Sequence, residues 1–152
     1  MTATAHAVVG TFFAARIADP VIALPLSFIS HYALDTIPHW DTATNRKSKS
    51  EKRLLIESTI DGVIAIVLSL GIYTFVFNLD NYLYLGLIVG ASVFPDILTV
   101  LTRFIVKKHN VLWNWNNRLQ IRLNRRMQLP WGILTQVAAV GIVYVLLFSV
   151  FV

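Results

Sequence analysis

The chain of 152 residues contains no cysteine. Disulfides and thiolate metal sites are therefore excluded, and any bound metal has to be held by His, Asp, Glu, backbone or water. Charge is scarce as well: Asp, Glu, Lys and Arg make up only 14% of the residues, while 56% are hydrophobic. Soluble globular domains carry roughly a quarter charged residues, so this composition points to an integral-membrane protein. Leu129 to Val152 includes no charged residue in 24 positions, whereas a bilayer core of ~30 Å needs about 20 apolar residues at a rise of about 1.5 Å each. No basic residue precedes Arg16, so a cleavable signal peptide is not expected.

What is present falls into apolar runs separated by turn signals. The first run, about 3 to 18, is short for a full span. It ends at Asp19-Pro20, a helix cap followed by proline at the first helical position. A tight hairpin with a second helix, Pro20 to about Ile37, is expected, stopped by Pro38. Residues 41 to 53 are polar and read as a loop. Further helices are expected from Glu51 to Phe77 and, after the turn "NLDN", from Tyr82 to about Ile105 with a kink at Pro95. The expected fold is an all-α membrane protein: one domain over residues 1–152, with about five membrane helices, the first two a short hairpin.

Between the last two spans, Arg103 to Met127 holds seven Lys or Arg and no acid. Leu112, Trp115, Leu119, Leu123 and Met127 recur at helical spacing, so the segment 103–128 reads as an interfacial amphipathic helix. Its Arg118, Arg122, Arg125 and Arg126 suit an anionic lipid headgroup. No nucleic-acid motif accompanies the basic patch, and nucleic acid is not an expected partner. Two crossings separate this segment from the basic residues at 46–53, so both fall on one side. The positive-inside rule makes that side cytoplasmic, together with the N-terminus, and puts the C-terminus outside. The expected location is the inner cell membrane, crossed several times.

Within the apolar chain, "HYALDTIPHWD" at 31–41 concentrates two histidines and two aspartates. His31, Asp35 and His39 stand four apart, which on a helix makes one polar stripe, and two of them from adjacent turns can ligate one ion. His6, Asp61 and Asp96 reach a similar depth on neighbouring helices. Ionisable groups in a membrane are costly unless paired, wetted or bound to metal, so their coincident depth is a functional signal. Imidazole and carboxylate together suit zinc first, with manganese or iron(II) as the other candidates, as one or two ions. Asp35 or Asp61 is the expected bridge if there are two.

The run "AHAVVG", then "SHYALDTIPHWD", an aspartate early in the next span and "FPDI" in a later one resembles the family of small integral-membrane, metal-dependent hydrolases of the inner membrane. The resemblance covers most of residues 5 to 100, is most specific at His31, Asp35, Pro38 and His39, and implies a divalent metal and hydrolysis. A fainter similarity is to the soluble zinc-dependent phospholipase C group, which combines "HY", an aspartate four residues after the histidine, and a later proline and histidine. Here the second histidine directly follows the proline, and no further His-rich helix exists.

The resulting expectation is a metal-dependent hydrolase of a phosphoester in a lipid or lipid-linked substrate at the cytoplasmic leaflet. Water activated by the metal is the nucleophile, and Glu57 or Asp41, if not used as ligands, accept its proton. The alternatives are an ion, proton or metal carrier and a non-catalytic metal-binding membrane protein. A carrier needs access from both sides, whereas these ionisable residues cluster towards one.

Overall fold

A computed structural model describes residues 1–102 and 111–150. Residues 103–110, including Arg103 and the expected end of the fourth span near Ile105, lie outside the described residues, as do the last two of the C-terminal run. Among the described residues the protein is all-helical, with no strand. The helices are α1 (Ala3–Arg16), α2 (Pro20–Asp35), α3 (Glu51–Gly71), α4 (Tyr82–Val100), α5 (Val111–Leu123) and α6 (Trp131–Val150). A 3-10 turn lies at Arg46–Ser48, and α3 runs on into a π-helical turn at Ile72–Val76.

Local signals account for the helix starts. Asp19 accepts a hydrogen bond from the Val21 amide at 2.8 Å, with Pro20 as the first residue of α2. Thr2, Ser50 and Asn81 cap α1, α3 and α4 in the same way. Each satisfies an amide that the first helical turn leaves without a backbone partner.

Among the described residues, three helical stretches are long and apolar enough to cross a membrane: Glu51–Val76, Tyr82–Val100 and Trp131–Ser149. Their outward residues, among them Val63, Val67, Leu83, Val137 and Ile142, are exposed hydrophobics, as lipid contact requires. At 14 and 16 residues, α1 and α2 fall short of a full span. Of the five expected membrane helices, three therefore have spanning length.

The reason α1 can be short is its position. It packs against α2, α3, α4 and α6, and Ala5, His6, Ala7, Val9, Gly10, Thr11, Phe12, Phe13 and Ala14 are all buried. A helix enclosed by its own protein need not match the bilayer. Small residues allow the close approach. At Gly10, a Cβ would stand 2.7 Å from Ser92 Oγ and 3.1 Å from Val89 Cα. From α2, Ser27 Oγ donates to the Ile88 carbonyl of α4 at 2.8 Å.

Contacts at the two ends establish the run of the chain. At one end Phe12, Phe77, Tyr144 and Phe148 pack ring to ring at 4.4–6.2 Å, and the Tyr84 hydroxyl donates to the Ile17 carbonyl. At the other, the start of α1, the end of α2, the later part of α4 and the start of α6 meet beside α5. Loop residues 39–45 and the segment 124–128 are bonded to each other here, so the two basic segments share one end.

Candidate metal centre

Four elements bring side chains to a common point at that end. α1 supplies His6, α2 supplies His31 and Asp35, α4 supplies Asp96, and the chain after α2 supplies His39. His6, His31, Asp35 and His39 are no more than 2% exposed. One ligand atom from each of His6, His31 and Asp96 lies within 4.8 Å of the others, a group able to hold a metal ion. The His6 and His31 rings stack with centroids 3.9 Å apart.

Asp35 sits among the three imidazoles. Its Oδ1 is 3.3 Å from His6 Nε2 and 3.6 Å from His39 Nε2, and its Oδ2 is 3.6 Å from His31 Nε2. His31 Nε2 is also 3.6 Å from Asp96 Oδ1. The Met1 amino group contacts Asp35 Oδ1 as well.

The other ring nitrogens decide what these contacts are. His31 Nδ1 lies 2.8 Å from the Ser92 carbonyl, and His39 Nδ1 lies 2.7 Å from the Ile37 carbonyl. A carbonyl oxygen only accepts, so each Nδ1 carries the proton, and in a neutral ring Nε2 presents its lone pair. A backbone carbonyl that orients an imidazole in this way is the usual support of a histidine ligand. All three Nε2 atoms are buried and have no hydrogen-bond partner. A lone pair facing a carboxylate is unfavourable unless a proton or a metal ion lies between them. Such unpaired buried groups are costly and demand an occupant. The donor set, nitrogen and carboxylate oxygen without sulfur, fits zinc, manganese or iron(II).

His39 reaches the cluster by a route that its spacing did not indicate. α2 ends at Asp35, two residues short of the expected end, because Pro38 excludes helical geometry in the residue before it. His39 is held instead by backbone pairing, its N–H donating to the Arg125 carbonyl at 2.9 Å and its carbonyl accepting from the Met127 amide at 2.6 Å. Burial first, and the Met1 ammonium next, push its imidazole below the ordinary histidine range.

The other expected residues have different partners. Asp61 is committed to the first turn of α1: Oδ2 accepts from the Ala3 amide at 2.7 Å, and Oδ1 from the Thr4 amide at 3.1 Å and the Thr4 hydroxyl at 2.6 Å. It caps a neighbouring helix through both oxygens rather than facing the imidazoles. Glu57 is paired with Lys49 Nζ at 2.6 Å and Arg53 Nε at 2.7 Å. Asp41 accepts from Arg126 Nε at 3.1 and 2.9 Å, and from the Thr44 hydroxyl at 2.9 Å. Neither carboxylate is an uncommitted proton acceptor. Arg118, Arg122 and Arg125 are exposed.

An amide row along α5, continued by Asn124 just beyond it, has partners that the sequence does not reveal. Asn116, Gln120 and Asn124 are spaced by four and face inward. Asn116 is 1% exposed; it accepts from the Tyr32 hydroxyl at 2.9 Å and donates to the Pro95 carbonyl at 3.1 Å and the Thr99 hydroxyl at 3.0 Å. Gln120 Nε2 approaches Asp96 Oδ1 at 3.4 Å, and Asn124 Nδ2 approaches Asp41 Oδ2 at 3.4 Å. Their period of four was legible beside the leucine stripe, but arginines in the same segment dominated its character. Ser92, which orients His31 through its carbonyl, left no signal because any residue has a carbonyl. No protein-family model, curated protein or solved structure matches the chain.

Proposed function

We propose that the protein is a membrane-embedded, divalent-metal-dependent hydrolase acting on a phosphoester of a lipid or lipid-linked substrate at the cytoplasmic leaflet. The observation that carries this reading is the convergence of three unpartnered, buried imidazole Nε2 atoms on Asp35, with Asp96 alongside. The resemblance of "SHYALDTIPHWD" to small membrane hydrolases adds the reaction class.

When bound, a divalent ion supplies Lewis acidity and lowers the pKa of water, which is the chemistry that phosphoester hydrolysis needs. His6, His31 and Asp96 would hold it, and Asp35 with His39 extends the donor set towards a second ion. Ser92 and Ile37 keep the proton on Nδ1 of His31 and His39, so that Nε2 is free to ligate. Asp96 is the most open member, its side chain 34% exposed, and marks the side from which a substrate approaches. Arg118, Arg122 and Arg125 provide a cationic rim for an anionic headgroup.

The test is a panel of phospholipids, isoprenoid phosphates and simple phosphoesters, assayed with wild type, with His31→Ala and after chelation. Turnover is expected to vanish in the variant and with chelator, and to return on adding one specific divalent ion. Turnover that survives both treatments would overturn the reading. Bound metal without turnover of any substrate would leave a non-catalytic metal protein, and absence of metal a site that holds protons.

A further inference from the structure

Beside the metal centre, at the same end of the bundle, a second pocket is lined by Ala43, Asn45, Arg46, Lys47 and Arg126. Three of its five lining residues are cationic and none is acidic. We propose that this pocket binds a phosphate group.

Its two walls come from distant parts of the chain and are pinned together by three sets of bonds. Asn45 and Gln128 exchange reciprocal amide hydrogen bonds, Asn45 Nδ2 donating at 2.9 Å and Gln128 Nε2 donating at 2.7 Å. Arg126 Nε donates to both oxygens of Asp41 at 3.1 and 2.9 Å. His39 pairs through its backbone with the residues on either side of Arg126. The walls are therefore built before any ligand arrives, which lowers the ordering cost of binding.

The charges inside the pocket are incompletely neutralised. Asp41 engages the Nε–H of Arg126, whereas a guanidinium carries five N–H donors in all. Glu51 stands 3.8 Å from Arg46, but both side chains are more than half exposed, and such pairs contribute little in water. Lys49, the other nearby cation, is committed to Glu57 and the Thr42 carbonyl. Guanidinium and ammonium groups lining one concavity match the tetrahedral, multiply charged oxygens of phosphate. The ligand is either a lipid headgroup phosphate or free phosphate, which share this chemistry. The pocket goes beyond the hydrolase reading, because none of its lining residues belongs to the metal centre.

Binding of inorganic phosphate to the purified protein in neutral detergent, measured by calorimetry at fixed ionic strength, tests the pocket directly. A parallel arm compares nanodiscs of phosphatidylcholine with and without phosphatidic acid. Arg46→Gln with Lys47→Gln should weaken binding by about twenty-five-fold, taking roughly fivefold for each basic residue near an anionic group. Both side chains are exposed, so a thermal melt should match wild type. Lys52→Gln with Arg53→Gln removes the same charge at exposed positions outside the pocket and should change inorganic phosphate binding by less than about threefold. His31→Ala should bind phosphate as wild type does, which separates this site from the metal centre. Binding confined to phosphatidic acid discs, and lost in the pocket variant, supports the site with a lipid as its occupant. Binding confined to inorganic phosphate, and lost in the same variant, supports it with a soluble one. Equal loss in the two double variants, undiminished binding in the pocket variant, or no binding by wild type in either arm overturns it.

Discussion

An imidazole whose proton is held by a backbone carbonyl has one remaining nitrogen to satisfy, and in this protein two such rings and a third imidazole point theirs at the same carboxylate. That arrangement distinguishes ligands from residues that merely share their depth. His31→Ala should strip metal from the purified protein, because it removes an inner donor. Asp61→Ala should retain metal while lowering stability by about 0.5–2 kcal/mol, the usual worth of a helix cap. Elemental analysis alongside thermal melts in detergent separates the two, and equal metal loss in both variants would contradict the geometry. The two aspartates looked alike in sequence: each lies about two turns inside an apolar helix. What differs is the neighbour, the first turn of α1 for Asp61 and the His31 ring for Asp96, and a neighbour across helices leaves no mark in either segment.

Helices α1 and α5 hold the centre in place by opposite means. α1 does so by close packing: Gly10 rests on Ser92, whose carbonyl orients His31. Gly10→Ala places a methyl group where Ser92 Oγ would stand 2.7 Å away, and overpacking of this kind costs about 1–3 kcal/mol. The variant should melt earlier and bind metal more weakly, since α4 must shift and take the Ser92 carbonyl with it. α5 uses polar bonds. Asn116→Ala strands the Tyr32 hydroxyl and costs about 1–3 kcal/mol. Faster hydrogen exchange of α5, with that of α6 unchanged, would show that this amide docks the helix. The arginine face of α5 was evident from composition, whereas the amide face needed the partners on α2 and α4 to acquire meaning.

At the scale of the whole molecule, three helices of spanning length surround a short buried one, and every ionisable residue of the centre lies at one end. The basic loop and the segment 124–128 are joined there by Asn45–Gln128 and Asp41–Arg126. We propose, on the positive-inside rule, that this end faces the cytoplasm. The chain has no cysteine of its own, so single cysteines report without background. Ser48→Cys should label with an impermeant thiol reagent from the cytoplasmic side and Asp80→Cys, in the turn before α4, from the other. Labelling of both from one side would rule out the proposed crossing.

The sequence by itself determined the helical, apolar class of the protein, its helix starts and the kinds of donor group it can offer. These depend on composition, on capping residues next to one another and on the absence of thiols, all of which are local. Tertiary structure decided which acids face which imidazoles, because that depends on helix rotation and close approach between segments far apart in sequence, as for His6 and Asp96. It also decided that α1 is enclosed rather than lipid-facing, and that His39 arrives by pairing with residues 125 and 127 rather than by helical spacing. A hydrophobic helix reads the same whether lipid or protein surrounds it, and only packing tells the two apart.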